Sequence, residues 1–267
     1  MNSFNAQILI DLAIGFIAFS LAASSIYILN DVRDIKADRV HPYKNKRAIA
    51  AGKISKRFAY CFSFSLGITS LLIALLISTT IFLILFLYIL LNICYSYYFK
   101  RIPILDCFLL AAFYSSRIFF GSIAIGLETP FWLLTFSAYF FLSLSLAKRY
   151  SELFLMKEEM PRRGYLVTDT DFIKIFGIAS GAVSFLILTL YLNTNNVYLN
   201  FNYPEVLSIA VMLLMYWFSW IWLNTLRGNI VTDPILYSIR DKTSQIICFV
   251  ILLLFFIGKS GNYYTLI

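Results

Sequence analysis

The chain has 267 residues, 60% of them hydrophobic and 18% aromatic against 13% charged, with a formal net charge of +8. At a mean hydropathy of +0.79 it holds more apolar surface than a soluble core can hide, which excludes a soluble enzyme and leaves an all-α, polytopic transmembrane helical bundle. The positive balance does not mark a nucleic-acid partner: nine of the 22 Lys and Arg fall between residues 31 and 57, and loops 78–80, 126–130 and 193–204 contain none. That asymmetry follows the positive-inside rule, so the chain is expected to lie in a bacterial inner (plasma) membrane with its charged loops in the cytoplasm.

In chain order, eight apolar segments are long enough to span, roughly 8–29, 58–78, 80–98, 104–125, 130–147, 172–192, 205–223 and 243–258, and they read as a single integral-membrane domain, 1–267. The first carries Asp11 near its outer end, where an acid reaches the interface. Cys61, Cys94, Cys107 and Cys248 have no metal-ligand spacing and sit in or beside spans, so they read as packing residues.

The first span ends in the longest charged stretch of the first hundred residues, Asn30 to Gly52, reading NDVRDIKADRVHPYKNKRAIAAG. If the helix continues through Asp38, the carboxylates of Asp31, Asp34 and Asp38 fall at i, i+3 and i+7, within about 60° on one face. A solvated helix end laced with ion pairs is the ordinary reading of such a run. The spacing opposes it, because no acid has Lys or Arg three or four residues ahead, and Arg33, Lys36 and Arg39 form a row of their own. A segregated acidic face suits a hard divalent cation with oxygen ligands, and Mg²⁺ usually completes its shell with waters and substrate phosphates. Asn30, Asp31, Asp34 and Asp38 are the expected metal ligands.

The pattern N-D-x-x-D-x-x-x-D at the end of a membrane helix resembles the first aspartate motif of the UbiA superfamily of intramembrane prenyltransferases. The continuation from Asp38 to Gly52, D-R-x-H-P-x-K-x-K-R-x-I-A-A-G, resembles the decaprenyl-phosphate phosphoribosyltransferase branch, with Ala48 where that branch usually has Pro. Members of the superfamily resemble a nine-helix bundle, so this chain is expected to begin one helix late. His41, the single histidine, precedes Pro42 and reads as a turn residue rather than a base.

Further along, Asn92, Ser96 and Lys100 repeat every four residues, a polar stripe on one face of the third span. Together with Tyr95 and Asp106, the stretch Y-S-x-x-x-K-x-x-x-x-x-D resembles a second region of the same branch. Ordinary UbiA prenyltransferases hold a second D-x-x-x-D cluster there, but Ile102 and Leu110 flank Asp106 at four residues. Arg117 lies 11 residues after Asp106, about 16 Å along the helix and on nearly the same face. A charge this deep in a span costs at least ~2.5 kcal/mol unless paired or facing water, so it is a candidate anion ligand or an ion-pair partner. Lys148 and Arg149 close the fifth span, where basic residues would meet a phosphate or anchor the helix, and Lys148 is a possible i, i+4 partner of Glu152. Residues 156–171 form a polar loop with room for a short interfacial helix. Tyr165 resembles a family position, and Asp233 before Pro234 reads as a turn former.

What the resemblance implies is a Mg²⁺-dependent enzyme that moves a 5-phosphoribosyl group from phosphoribosyl diphosphate (PRPP) to a polyprenyl phosphate, releasing diphosphate, for cell-envelope polysaccharide synthesis. Asp31, Asp34, Asp38 and Arg117 are the expected catalytic residues. Arg39, Lys46, Arg47, Tyr95, Ser96, Lys100, Asp106, Lys148 and Arg149 are expected to bind substrate. Two other readings fit part of the pattern. A prenyltransferase using a prenyl diphosphate and a small acceptor shares the first motif but should bring the second acidic cluster. In a transporter, Arg117 would lie on the pathway and the acids would gate a cation.

Overall fold

Helices begin and end in this chain where small polar side chains and prolines allow them to. The computed structural model describes residues 6–40, 43–156, 163–230 and 233–259. They form α1 (Ala6–Val40), α2 (Lys56–Ile77), α3 (Thr79–Tyr97), α4 (Leu105–Ala124), α5 (Phe131–Met156), α6 (Thr170–Leu192), α7 (Asn195–Asn200), α8 (Pro204–Leu226), α9 (Pro234–Arg240) and α10 (Lys242–Lys259). Ser55 caps α2 by accepting from the Phe58 amide at 3.2 Å. Ser78 breaks the long apolar run between α2 and α3, and caps α3 by accepting from the Ile81 amide at 3.1 Å. Each satisfies a donor that a helix start leaves open. Pro204 and Pro234 sit in the first turn of α8 and α9, where a missing N–H costs nothing.

Eight of the helices are long and apolar enough to cross a membrane, matching the eight segments expected. Two run further than the apolar pattern alone indicates. α1 continues through the acidic motif as one 35-residue helix, and α5 carries Lys148, Arg149 and Glu152 within its last turns. Among the described residues of the loop after α5, a 3-10 turn stands at Val167–Asp169, and residues 157–162 of the stretch expected to hold an interfacial helix lie outside the described residues. His41 and Thr232 lie outside the described residues.

The chain divides into two compact units, residues 1–100 with 116–129, and residues 101–115 with 130–267, so α4 gives its first half to one and its second half to the other. In the first unit, α1 and α2 approach through small residues. Ser25 donates to the Ser63 carbonyl and Ser63 to the Ser25 carbonyl, each at 2.7 Å, beside the buried Ala18, Ala22 and Ala59. Lipid tails give apolar side chains no reason to leave them, so close backbone approach and interhelical hydrogen bonds must hold such a pair. At the C-terminal end of α1, Val32 and Ile35 pack with Ile49 and Ala59, which ties the loop after the motif to the helix that carries it.

In the second unit the same device joins α5, α6 and α8. Ser143 donates to the Gly177 carbonyl at 2.6 Å and accepts from the Trp222 indole at 3.0 Å. A Cβ at Gly177 would run into the Trp222 ring, and one at Gly181 into Phe218. Gly177→Leu is therefore expected to lower stability by about 1–3 kcal/mol through overpacking, read as a lower thermal midpoint in detergent, whereas Ile178→Leu on an exposed part of the same helix should leave it unchanged.

Candidate active site

The acidic face of α1 is built as its spacing predicts, and its cations come from elsewhere in the first unit. Arg47, in the loop after α1, places Nη1 2.7 Å from Asp31 Oδ1 and 3.0 Å from Asp38 Oδ2. Lys100, just beyond α3, places Nζ 2.6 Å from Asp34 Oδ1. The Asp38 side chain is 6% exposed, whereas those of Asp31, Asp34 and Arg47 are 35%, 30% and 43% exposed. The site is thus anchored at Asp38 and open toward Asp31 and Asp34. Ser96 Oγ lies between the Asn30 side-chain oxygen and the Asn92 carbonyl, the latter at 2.9 Å. Ser96 and Tyr95 are buried, so the polar stripe of α3 supports the α1 motif from the side. Of the residues expected to bind substrate, Ser96 bonds Asn30 and Lys100 pairs with Asp34.

The basic row of α1 turns away from the acids. Arg39 Nε donates to the Ala50 carbonyl at 3.0 Å, and Arg33 stacks over the Tyr97 ring at 3.5 Å. Arg39 thereby shapes the Ala50-Ala51-Gly52 turn, in which Gly52 has φ 77°, a conformation that favours glycine. Lys46 stands exposed in a 3-10 turn, Lys44–Lys46, one residue before Arg47.

The donor set fits a hard cation. Asp31 and Asp38 both reach one positively charged nitrogen, so their oxygens converge on a single position, and Asn30 and Asp34 of the same motif offer further oxygen ligands. Among the described residues no three His, Cys, Asp or Glu side chains already close around a common point. A cation held here takes part of its shell from water or phosphate oxygens, which is the usual habit of Mg²⁺.

Arg117 does not join the acids. Its guanidinium lies over Phe19, 5.8 Å from the ring centroid, within electrostatic and hydrogen-bonding reach of Tyr88. Phe19 is 12 residues before Asp31 on a continuous helix, about 18 Å along its axis, further than an arginine side chain extends. The structure thus sets Arg117 apart from Asp31, Asp34 and Asp38 along α1. Arg117 instead lines an apolar cavity of about 390 Å³, with Leu12, Phe16, Phe19, Tyr27 and Phe120.

In the second unit, Asp106 and Arg149 are buried against each other rather than presented to a ligand. Arg149 Nε donates to Asp106 Oδ2 at 2.5 Å, and its Nη1 donates to Glu152. The side chains of Asp106 and Arg149 are at most 1% exposed. Tyr165 donates to Asp106 Oδ1 at 2.5 Å and accepts from the Ile104 amide at 2.7 Å. Burial first, then Cys107 and Asp106, pushes the Tyr165 phenol well above its usual range, so it stays a donor. Arg163 closes the set at 3.7 Å from Asp106 and 3.5 Å from Glu152. Nothing in local spacing announced Arg163, and Tyr165 was visible only as a family position. Lys148 pairs with Asp233 at 2.8 Å rather than with Glu152. Asp233 also caps α9, accepting from the Ile235 amide at 3.0 Å. Burial raises its carboxyl, but Lys148 and the amides outweigh that and hold it below the usual range.

Residues 2–165 match the family model described as the UbiA prenyltransferase family. The chain is 35% identical over 241 residues, 87% of its length, to the uncharacterized protein y4nM of Sinorhizobium fredii. It is 36% identical over 154 residues, 57% of its length, to the decaprenyl-phosphate phosphoribosyltransferase of Corynebacterium glutamicum. It spans 46% of each of these relatives, about half their length. In three dimensions it resembles a structure reported for digeranylgeranylglyceryl phosphate synthase, with a TM-score of 0.62 over 94% of this chain and 86% of that one; at 19% identity the likeness is one of fold.

Two substitutions test the second unit. Arg149→Leu leaves Asp106 buried without its cation and should cost about 3–5 kcal/mol, whereas the pair Arg149→Met with Asp106→Asn should recover most of that loss, both read by thermal unfolding in detergent. For Asp233 the sign follows from its depressed folded-state pKa. Its stabilisation is complete above the unfolded carboxylate value of about 3.9 and is lost as pH falls through the lower, folded value. The stability difference between the parent chain and Asp233→Asn should therefore hold from pH 7 to 5 and shrink below about pH 4.

Proposed function

The chain belongs to the UbiA prenyltransferase family, and within that family of integral membrane enzymes we propose that it transfers a 5-phosphoribosyl group from PRPP to a polyprenyl phosphate of the decaprenyl type, releasing diphosphate. What carries this reading is the acidic face of α1, three carboxylates whose charges are met only in part, by Arg47 and Lys100, at a half-exposed position. Similarity to decaprenyl-phosphate phosphoribosyltransferases over more than half of the chain supports the sugar donor over a prenyl one, and so does the lone Asp106, which is committed to Arg149. The proposed orientation places the C-terminal end of α1 in the cytoplasm, where the charged loops concentrate.

Asn30, Asp31, Asp34 and Asp38 would hold Mg²⁺, whose contribution when bound is to neutralise charge developing on the leaving diphosphate. Arg47 and Lys46, on the loop tied to α1 by Ile49, are placed to take phosphate oxygens, Arg47 through the two-pronged geometry of a guanidinium. Lys100 and Ser96 keep Asp34 and Asn30 in register, so the oxygens need little rearrangement when substrate arrives. As the anomeric C–O bond breaks, the sugar takes on oxocarbenium character and an oxygen of the lipid phosphate attacks it. That oxygen is already anionic, so no side chain has to remove a proton, in keeping with a chain that has one histidine.

Purified protein given Mg²⁺, a polyprenyl phosphate and labelled PRPP should release diphosphate and form a labelled lipid. Release from a prenyl diphosphate with a small acceptor, and none from PRPP, would establish the prenyltransferase alternative. Asp34→Ala is expected to abolish transfer, by at least ~10³-fold, with its thermal midpoint close to that of the parent chain; near-normal turnover in the folded variant would remove the metal assignment.

A further inference from the structure

We infer that Arg47 is a resident counter-ion of the acidic face, which a cation–diphosphate complex displaces and a free cation does not. The inference rests on the transfer reading above and adds an order to it: metal and diphosphate enter together. One atom of Arg47, Nη1, bonds Asp31 and Asp38 at 2.7 and 3.0 Å, carboxylates seven residues apart on α1. It therefore occupies the position on which those oxygens converge. A divalent ion that uses both carboxylates must remove the guanidinium from between them, since two positive charges cannot share that point.

The structure provides for the exchange without movement of the chain. On either side of the side chain the backbone is fixed. The Ala51 amide donates to the Arg47 carbonyl at 2.8 Å, Arg39 holds Ala50 at 3.0 Å, and Ile49 is buried against α1. Arg47 itself is 43% exposed, so rotation about its own bonds carries the guanidinium toward solvent. Lys100 remains with Asp34 at 2.6 Å and keeps part of the acidic charge compensated meanwhile. A bare cation would have to expel Arg47 and leave the guanidinium no acidic partner, which opposes its entry. A cation carrying diphosphate brings one, because phosphate oxygens accept the two N–H bonds that the carboxylates give up. Arg47 thus opposes the first ligand and favours the second, which makes it the coupling element between them.

The test uses the full chain in detergent or nanodiscs, with Mn²⁺ as the cation and inorganic diphosphate as the anion, bound Mn²⁺ being read from loss of the free-ion paramagnetic resonance signal. The parent chain should bind Mn²⁺ weakly alone and about tenfold or more tighter with diphosphate, within the usual range of coupling between two sites. Arg47→Gln should bind Mn²⁺ alone several-fold tighter than the parent and lose most of the gain from diphosphate. Arg47→Lys, which keeps the charge but not the fork, should fall between them. Lys53→Gln, an equal loss of charge on the same loop, should behave as the parent. Unchanged or weaker binding of Mn²⁺ alone in Arg47→Gln overturns the exchange while leaving the metal reading intact. Absence of Mn²⁺ binding in every variant, with or without diphosphate, overturns the transfer reading and the exchange with it.

Discussion

Three carboxylates on one face of one helix repel, and much of the first unit can be understood as the means of keeping them together. Asp31, Asp34 and Asp38 find no cation within α1 at helical pairing distance, so the compensation comes from chain that folds back. Arg47 returns on the loop packed against Val32 and Ile35, and Lys100 arrives at the end of α3, 66 residues from Asp34. The loop and the residues just past α3 therefore carry the charge that compensates α1. A solvent-facing pair adds little by itself, but Asp38 has a side chain only 6% exposed, and breaking a buried pair by removing one partner is costly.

The two units treat charge in opposite ways. In the second, Asp106, Arg149, Glu152 and Tyr165 are closed off from solvent, and nearly every polar atom named there has a partner inside the unit. Such a set is costly to form and costly to break, which suits a fixed joint at the start of α4 more than a surface that exchanges ligands. In the first unit, the side chains of Asp31, Asp34 and Arg47 are 30% exposed or more. Water remains available there to stabilise each partner while the other changes, so the same chemical groups are held loosely enough to be exchanged.

Much of this was legible in the sequence, and the illegible part has a common cause. Eight spans follow from apolar length alone, and the i, i+3, i+7 spacing of the acids placed them on one face before any tertiary contact was known. The segregation of Arg33, Lys36 and Arg39 from the acids also survives folding, with Arg33 on Tyr97 and Arg39 on the Ala50 carbonyl. What local spacing cannot give is depth and register between helices. Arg117 and Asp106 do share α4, but only the packing of α1 beside α4 shows that Arg117 meets Phe19, three turns below the acids. Lys148 looked like a partner for Glu152 on the same helix, and the longer reach to Asp233 prevailed because Arg149 had already taken Glu152.

The likenesses of this chain differ in extent and in identity. The likeness to digeranylgeranylglyceryl phosphate synthase runs over 94% of it at 19% identity, so helix order and packing persist where side chains do not. The likeness to the Corynebacterium glutamicum phosphoribosyltransferase runs over 57% of the chain at 36% identity. On the proposed reaction, the demands on that site are electrostatic: a leaving diphosphate must be neutralised, and an acceptor that arrives ionised needs no base. On that reading the acidic face of α1 meets the first demand by holding a cation, and the second asks for no proton acceptor among the side chains.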